Sequence, residues 1–322
     1  MKDPVKIIAI GAAVQDVFLR GKLFTPHREE DGDLVEEFEL GSKNEVDGVI
    51  YSTGGGATNA AVTFARQGLH SLCLGHIGND VAGQAVLDDL HKEDVDTSLM
   101  KTEKDHGTGY STLLLAPNGE RTILTYRGAS AHFNLKEKDF HSAKADWFYI
   151  SSLGGNMDAW EVIVDYAKRQ NIKIAANPGK AELKKKSEMK KLLPELSILG
   201  LNKEELAMLF DGETLEDLVR VAAKQIPCVL GTDGPKGSMA AYEGKLYKAG
   251  MYEDVKVIDR TGAGDAFNSA FVAGAVSGNG VEEALTLASA NSTSVVQQVG
   301  AKPGILHKKA KNHTMPITAV DL

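Results

Sequence analysis

Cysteine is scarce in this chain. The 322 residues include two, Cys73 and Cys228, without metal-ligand spacing. That excludes a disulfide framework and a thiolate metal cluster, and predicts two ordinary buried thiols in a reducing cytoplasm. Long apolar runs are also missing. Val5 to Ala13 is apolar but is soon interrupted by Asp16 and Arg20, with no basic leader or cleavage pattern, so neither a signal peptide nor a membrane span is expected. Basic residues are outnumbered, 36 against 44 acidic ones, and the formal net charge of −8 argues against nucleic acid or an anionic membrane as partner. The nine histidines contain no HExxH pair, and no metal site built of protein ligands alone is read. Tandem repeats and low-complexity linkers are absent as well, so the expectation is one domain over residues 1–322.

What is present is a rhythm of apolar strands and amphipathic helices, in a chain whose 43% hydrophobic content can fill a large core. Strands are predicted at Val5 to Ile10, Leu72 to Ile77, Trp147 to Ile150, Ile172 to Ala175, Ile198 to Leu201 and Cys228 to Gly231. Helices are predicted at about Ala57 to Gln67, Ala82 to His91, Asp158 to Gln170, Leu215 to Gln225, Ala263 to Val276 and Val281 to Val296, the last two closing the chain. This alternation implies an α/β fold, a mainly parallel sheet with helices on both faces. The Lys-rich run from Lys180 to Lys191 reads as a solvated helix face. Two stretches break the rhythm: residues 14–53, punctuated by glycines and Pro26, and residues 106–127, a hairpin turning at Pro117-Asn118-Gly119. Together they predict a small separate β-sheet.

The segment Asp259-Arg260-Thr261-Gly262-Ala263-Gly264-Asp265-Ala266-Phe267 places two glycines and a carboxylate at a predicted helix N-terminus. Unpaired N–H groups there attract anions, and glycines let a phosphate approach the main chain. Asp265 would be kept ionised by the positive end of the helix dipole, in a position suited to a general base. Asn202-Lys203-Glu204-Glu205 follows a strand and reads either as a ligand motif or as an ordinary helix cap. Gly231 to Ser238 is not a Walker A loop, because Lys236 precedes Gly237 rather than following a glycine of the required spacing. It reads as a nucleotide loop or as a plain hairpin turn. Gly54-Gly55-Gly56 fails as a dinucleotide fingerprint, which disfavours a Rossmann oxidoreductase.

Gly54 to Gly68, followed by Gly75 to Asp80, resembles the N-terminal signature of the ribokinase-like (PfkB) sugar kinases, and Asp259 to Phe267 resembles their C-terminal signature. The resemblance implies a three-layer α/β/α sandwich whose small sheet, from segments of about 14–53 and 106–127, is a lid over the sugar and often a homodimer interface. It implies ATP-dependent phosphorylation of a hydroxyl, expected to be a primary one, on a small sugar or nucleoside. Asp265 would be the general base, with Gly262, Ala263 and Gly264 as the anion hole. Asp16, Gly54, Gly55, Gly56 and Asn59 would bind the acceptor; Asn202, Glu205, Thr232, Gly234 and Gly237 would bind ATP. Glu205 would organise the Mg²⁺ water shell, and Asp259 matches a position near a K⁺ site. Gly56 and Ala57 stand where typical ribokinases have Lys-Gly, which bears on ribose itself. Tyr126 to Ala131 is similar to the stretch by which 2-keto-3-deoxygluconate kinases hold a carboxylate, with Arg127 as charge partner, although Arg127 could equally be a surface residue. The neutral acceptor is preferred. The acid sugar, and a non-catalytic sugar or nucleotide sensor, are the alternatives.

Overall fold

The computed structural model describes residues 4–117, 120–140, 144–252, 255–310 and 314–322. Strands β1 (Lys6–Ile10), β2 (Val14–Arg20), β3 (His27–Arg28), β4 (Leu34–Val35) and β5 (Gly48–Gly54) precede helix α1 (Gly56–Arg66). Next come β6 (His70–Leu74), β7 (His76–Gly78), α2 (Val81–Lys92), β8 (Lys101–Glu103), β9 (Gly109–Leu115) and β10 (Arg121–Tyr126). The middle of the chain holds β11 (Trp147–Ile150), α3 (Met157–Gln170), β12 (Lys173–Ala176), α4 (Lys180–Leu183), α5 (Lys186–Leu192), β13 (Ile198–Asn202), α6 (Lys203–Leu209) and α7 (Leu215–Ala222). It ends with β14 (Cys228–Thr232), β15 (Ser238–Tyr242), β16 (Lys245–Ala249), α8 (Ala263–Val276), α9 (Val281–Val295) and β17 (Ile317–Asp321).

A nine-stranded sheet in the order β17-β16-β15-β14-β13-β12-β11-β1-β6 forms the middle layer, parallel from β6 to β14. The near-continuous apolar run of β1 is what a strand covered on both faces requires. Its alternate residues divide between two cores. Ile8 and Ile10 pack with Trp160 of α3, Leu206 of α6 and Leu218 of α7, whereas Ile7 and Ala9 pack with Phe64 of α1, Phe271 of α8 and Leu285 of α9. The molecule is thus the three-layer α/β/α sandwich.

A second sheet, β10-β9-β2-β5, and the small pair β3-β4 stand apart from the first. The sheet is tied to the body at Thr53, which meets both Lys302 and Asp89. Lys302 Nζ lies 2.5 Å from Thr53 Oγ1 and 3.0 Å from Asp89 Oδ2, and Thr53 Oγ1 also donates to that carboxylate.

Several expectations need correction. The single strand at Leu72 to Ile77 is two, because Gly75 passes against the Gly11 carbonyl, where a Cβ would lie 3.0 Å away. α9 does not close the chain: β17 follows it and, with the earlier β15 and β16, extends the sheet in antiparallel fashion. The lysine run spans two short helices, and their inner faces bury Glu182, Leu183, Met189 and Leu192. The hairpin β9–β10 forms, but Asn118 and Gly119 of its predicted turn lie outside the described residues. Cys73 and Cys228 are buried free thiols, and burial raises each to a pKa of about 12.

Candidate active site

The start of α8 organises the site. Gly262 adopts φ 77°, the left-handed region, and a Cβ there would lie 2.4 Å from the Cβ of Ala301, so the turn requires glycine for two independent reasons. Gly264 differs, since a Cβ on it would meet nothing within 4 Å and would project into open space. Ala263 N–H donates to the Arg260 carbonyl at 3.3 Å, so of the three expected anion-hole groups this one is engaged within its own turn. Asp265 follows in the first turn, and its Oδ2 accepts a 2.8 Å hydrogen bond from Nδ2 of Asn59, a buried residue of α1. Residues 206 positions apart are joined there. Burial pushes the Asp265 carboxyl above the usual carboxylate range, and the Asn59 bond pulls it back. Of these two effects desolvation is the larger.

Asp16 lies on β2, 5% exposed. Its pKa is raised to about 6 by burial, against the opposing charge of Lys302 and a hydrogen bond with Ser111. The three glycines beside it answer to different neighbours. A Cβ on Gly54 would strike Asp16 Oδ2 at 2.1 Å, one on Gly55 the Ala12 carbonyl at 2.3 Å, and one on Gly56 the Ser151 side chain at 2.8 Å, with Asp265 Oδ1 3.7 Å away. Protein packing alone therefore accounts for Gly54 and Gly55.

Two cavities meet at the glycine turn. One, about 250 Å³, is bounded by Gly234, Gly237, Met251, Val257, Phe267 and Ser289. The other, about 230 Å³, is bounded by Asn177, Asn202, Glu205, Gly262, Asp265 and Asn268. Thr232, Arg260, Ala263 and Gly264 line both. The first is predominantly apolar, yet the Ser238 and Ser289 hydroxyls on its wall are buried without a hydrogen-bond partner. The loop from Thr232 to Ser238 is a hairpin turn between β14 and β15, and Thr232, Gly234, Pro235, Gly237 and Ser238 also line this cavity. Gly234 has φ 51° and Gly237 φ 94°.

Asn202 caps α6: its Oδ1 accepts from Glu205 N–H at 2.9 Å, and Glu205 Oε2 accepts from Asn202 N–H at 3.0 Å. The ordinary capping box is thus realised at the cavity wall. Burial raises the Glu205 carboxyl, countered by its bond from the Asn202 backbone. Its second oxygen and the Asp265 carboxylate are hard donors beside the smaller cavity, a set that fits Mg²⁺ held largely through water and phosphate.

Asp259 is 2% exposed and heavily bonded. Oδ1 accepts from Thr261 N–H and Oγ1, Oδ2 accepts from Gly300 N–H, and Arg121 Nε of β10 stands 4.0 Å from Oδ1. Arg127 is exposed at the end of β10, and among the described residues no carboxylate pairs with it. Sequence reasoning missed Lys302, Arg260 and Asn268; nothing in the surrounding Ala301-Lys302-Pro303 marks that lysine as buried. A larger cavity of about 670 Å³, flanked by Gln67, Ser277 and His307, lies away from Asp265. Beside the β3–β4 pair, ligand atoms of His27, Glu29 and Glu37 come within 4.8 Å of one another, but all three residues are exposed.

The profile of the pfkB family of carbohydrate kinases matches residues 32–308. The chain is 27% identical to a ribokinase of Haemophilus influenzae over 263 residues, covering 78% of this chain and 83% of that protein. It is 26% identical to a probable fructokinase-5 of Arabidopsis thaliana, covering 85% and 91%. The structure of Arabidopsis thaliana ribokinase complexed with ribose and ATP superposes with a TM-score of 0.75 at 22% identity, covering 95% of this chain and 97% of that one. That of Methanocaldococcus jannaschii nucleoside kinase gives 0.73 at 19%, covering 94% and 96%.

Proposed function

The chain belongs to the pfkB family of carbohydrate kinases, and we propose that it transfers the γ-phosphoryl group of ATP to a hydroxyl, a primary one, of a small neutral sugar or nucleoside. The observation that carries this reading is the 2.8 Å bond between Asn59 and Asp265, which joins the lid-side glycine segment to the anion-binding turn. Relatives include proteins described as ribokinase, fructokinase and nucleoside kinase, so the family sets the reaction and the pocket sets the acceptor.

In this reading Asp16 and Asn59 hold acceptor hydroxyls, with Gly54, Gly55 and Gly56 bringing the backbone close. Asp265 takes the proton of the attacking hydroxyl, and the N–H groups of Gly262, Ala263 and Gly264 balance charge on the transferring group. For Ala263 that means giving up its long bond to the Arg260 carbonyl. Thr232, Gly234 and Gly237 border the nucleoside of ATP, and Asn202 faces its phosphates. Glu205 would hold Mg²⁺ through the ion's water shell, and the ion would supply neutralising charge for the phosphates. Asp259 Oδ2 carries one hydrogen bond and so offers one oxygen toward K⁺, with Arg121 as a nearby competing charge. The four strands β10, β9, β2 and β5 act as the lid within one domain of residues 1–322, and the lid also pairs two copies of the chain.

Steady-state ADP release over a panel of pentoses, hexoses, nucleosides and 2-keto-3-deoxygluconate tests the reading. Turnover of a neutral acceptor supports it. Exclusive turnover of the acid sugar, lost in Arg127→Ala, would replace it with the acid-sugar reading, and ligand-induced stabilisation without any turnover would leave a sensor.

A further inference from the structure

The seam between the two cavities carries an unassigned cation. Arg260 lines both, is exposed, and forms no ion pair among the described residues. Glu205 and Asp265 put two carboxylates on the wall of the smaller cavity, and among the described residues Arg260 is the one cationic side chain there. A nucleotide with its base in the apolar cavity and its terminal phosphate at Asp265 must lay its phosphate chain across this seam. Without a positive side chain there, a polyanion would meet two carboxylates with only Mg²⁺ and backbone dipoles to offset them.

The backbone of Arg260 is also fixed. Asp259 before it is buried, its N–H donating to the Val296 carbonyl at 3.2 Å, and the Asp259 carboxylate accepts from both N–H and Oγ1 of Thr261 after it, bonds that do not depend on the Ala263 N–H. The guanidinium therefore swings from a rigid base at the edge of the anion-binding turn, and its planar fork suits two phosphate oxygens.

We propose that Arg260 is a specificity-determining residue that reads the phosphate chain of the nucleotide, selecting di- and triphosphates over the bare nucleoside at this site. This rests on the two cavities being the nucleotide site. Calorimetric titration of Mg·ADP into the full chain, with acceptor KM measured in parallel, separates the two ideas. Arg260→Gln should weaken ADP about 10–100-fold and raise the ATP KM similarly, while leaving the acceptor KM within about 2-fold. Arg260→Lys should recover part of the loss, which a purely structural role would not predict. Val257→Trp, at a wall residue 44% exposed, fills the apolar cavity with little effect on folding and should abolish ADP binding. If Val257→Trp abolishes binding while Arg260→Gln binds ADP as the wild type does, the role of Arg260 is overturned and the site stands. If Val257→Trp, confirmed folded, binds ADP normally, the nucleotide site is misplaced and the inference falls with it.

Discussion

At the scale of single residues, Asp265 is the sharpest test. Asp265→Asn keeps the shape and the contact with Asn59 but removes the base, so kcat should fall about 10²–10⁴-fold with ADP affinity largely kept. Near wild-type kcat would exclude Asp265 as the base. Asp16 carries a pH signature, because its pKa rises from 3.8 unfolded to about 6 in the native protein. The native state holds the extra proton between those values, so Asp16 costs stability progressively from about pH 4 to 6, and the full cost remains above that. Thermal melts should show Asp16→Asn gaining in Tm relative to wild type as pH rises through this window. An unchanged Tm difference from pH 4 to 8 would contradict the shift. Asn59 and Asp265 stand out in the sequence as parts of two signatures, and Asp16 as a separate carboxylate after the first strand. The convergence of Asn59 and Asp265 was not legible, since a side-chain contact across 206 positions has no local trace. Lys302 escaped for a related reason: its burial depends on Thr53 and Asp89, both remote in the chain.

At the scale of elements, the two glycines of the turn should separate cleanly. Gly262→Ala meets both an unfavourable φ and Ala301, and should lower stability by about 1–3 kcal/mol, read by denaturant titration. Gly264→Ala meets no protein atom, so stability should be retained while the ATP KM rises as the methyl enters the space left for phosphate. The opposite pattern would show that the turn is shaped by packing at Gly264 rather than at Gly262. The parallel strands and the long helices were legible because apolar periodicity is strong where a strand is covered on both faces. β15, β16 and β17 were not, because each is five residues long and lacks the continuous apolar run of the parallel strands. Asn202 and Glu205 show why a motif can be ambiguous even when correctly found: the same two side chains close a capping box and line a cavity.

At the scale of the whole molecule, the lid offers an exposed apolar face. Tyr51, Leu124, Tyr110 and Tyr126 lie on one side of the sheet, since Tyr51 and Leu124 flank the Val17–Thr112 pair and Tyr110 is opposite Tyr126. Tyr51 is 73% exposed and Leu124 58%. A self-complementary patch of this kind suits a two-fold dimer. Light scattering should report a dimer that Tyr51→Glu with Leu124→Glu converts to monomer; a wild-type monomer at assay concentration would refute the pairing. The separate small sheet was foreseeable from the broken rhythm of residues 14–53 and 106–127. Which of its faces stays exposed became apparent only from strand register.

The Lys302 clamp bears on how the protein is made. Lys302 closes on Thr53 across 249 residues, and Asp265 reaches Asn59 across nearly as many. A ribosome has therefore released the lid strands and the first parallel strands long before it supplies what fastens and completes them. Until then Thr53 and Asp89 stand without Lys302 and Asn59 without Asp265, so a chain terminated before residue 265 should be digested by protease faster than the full chain.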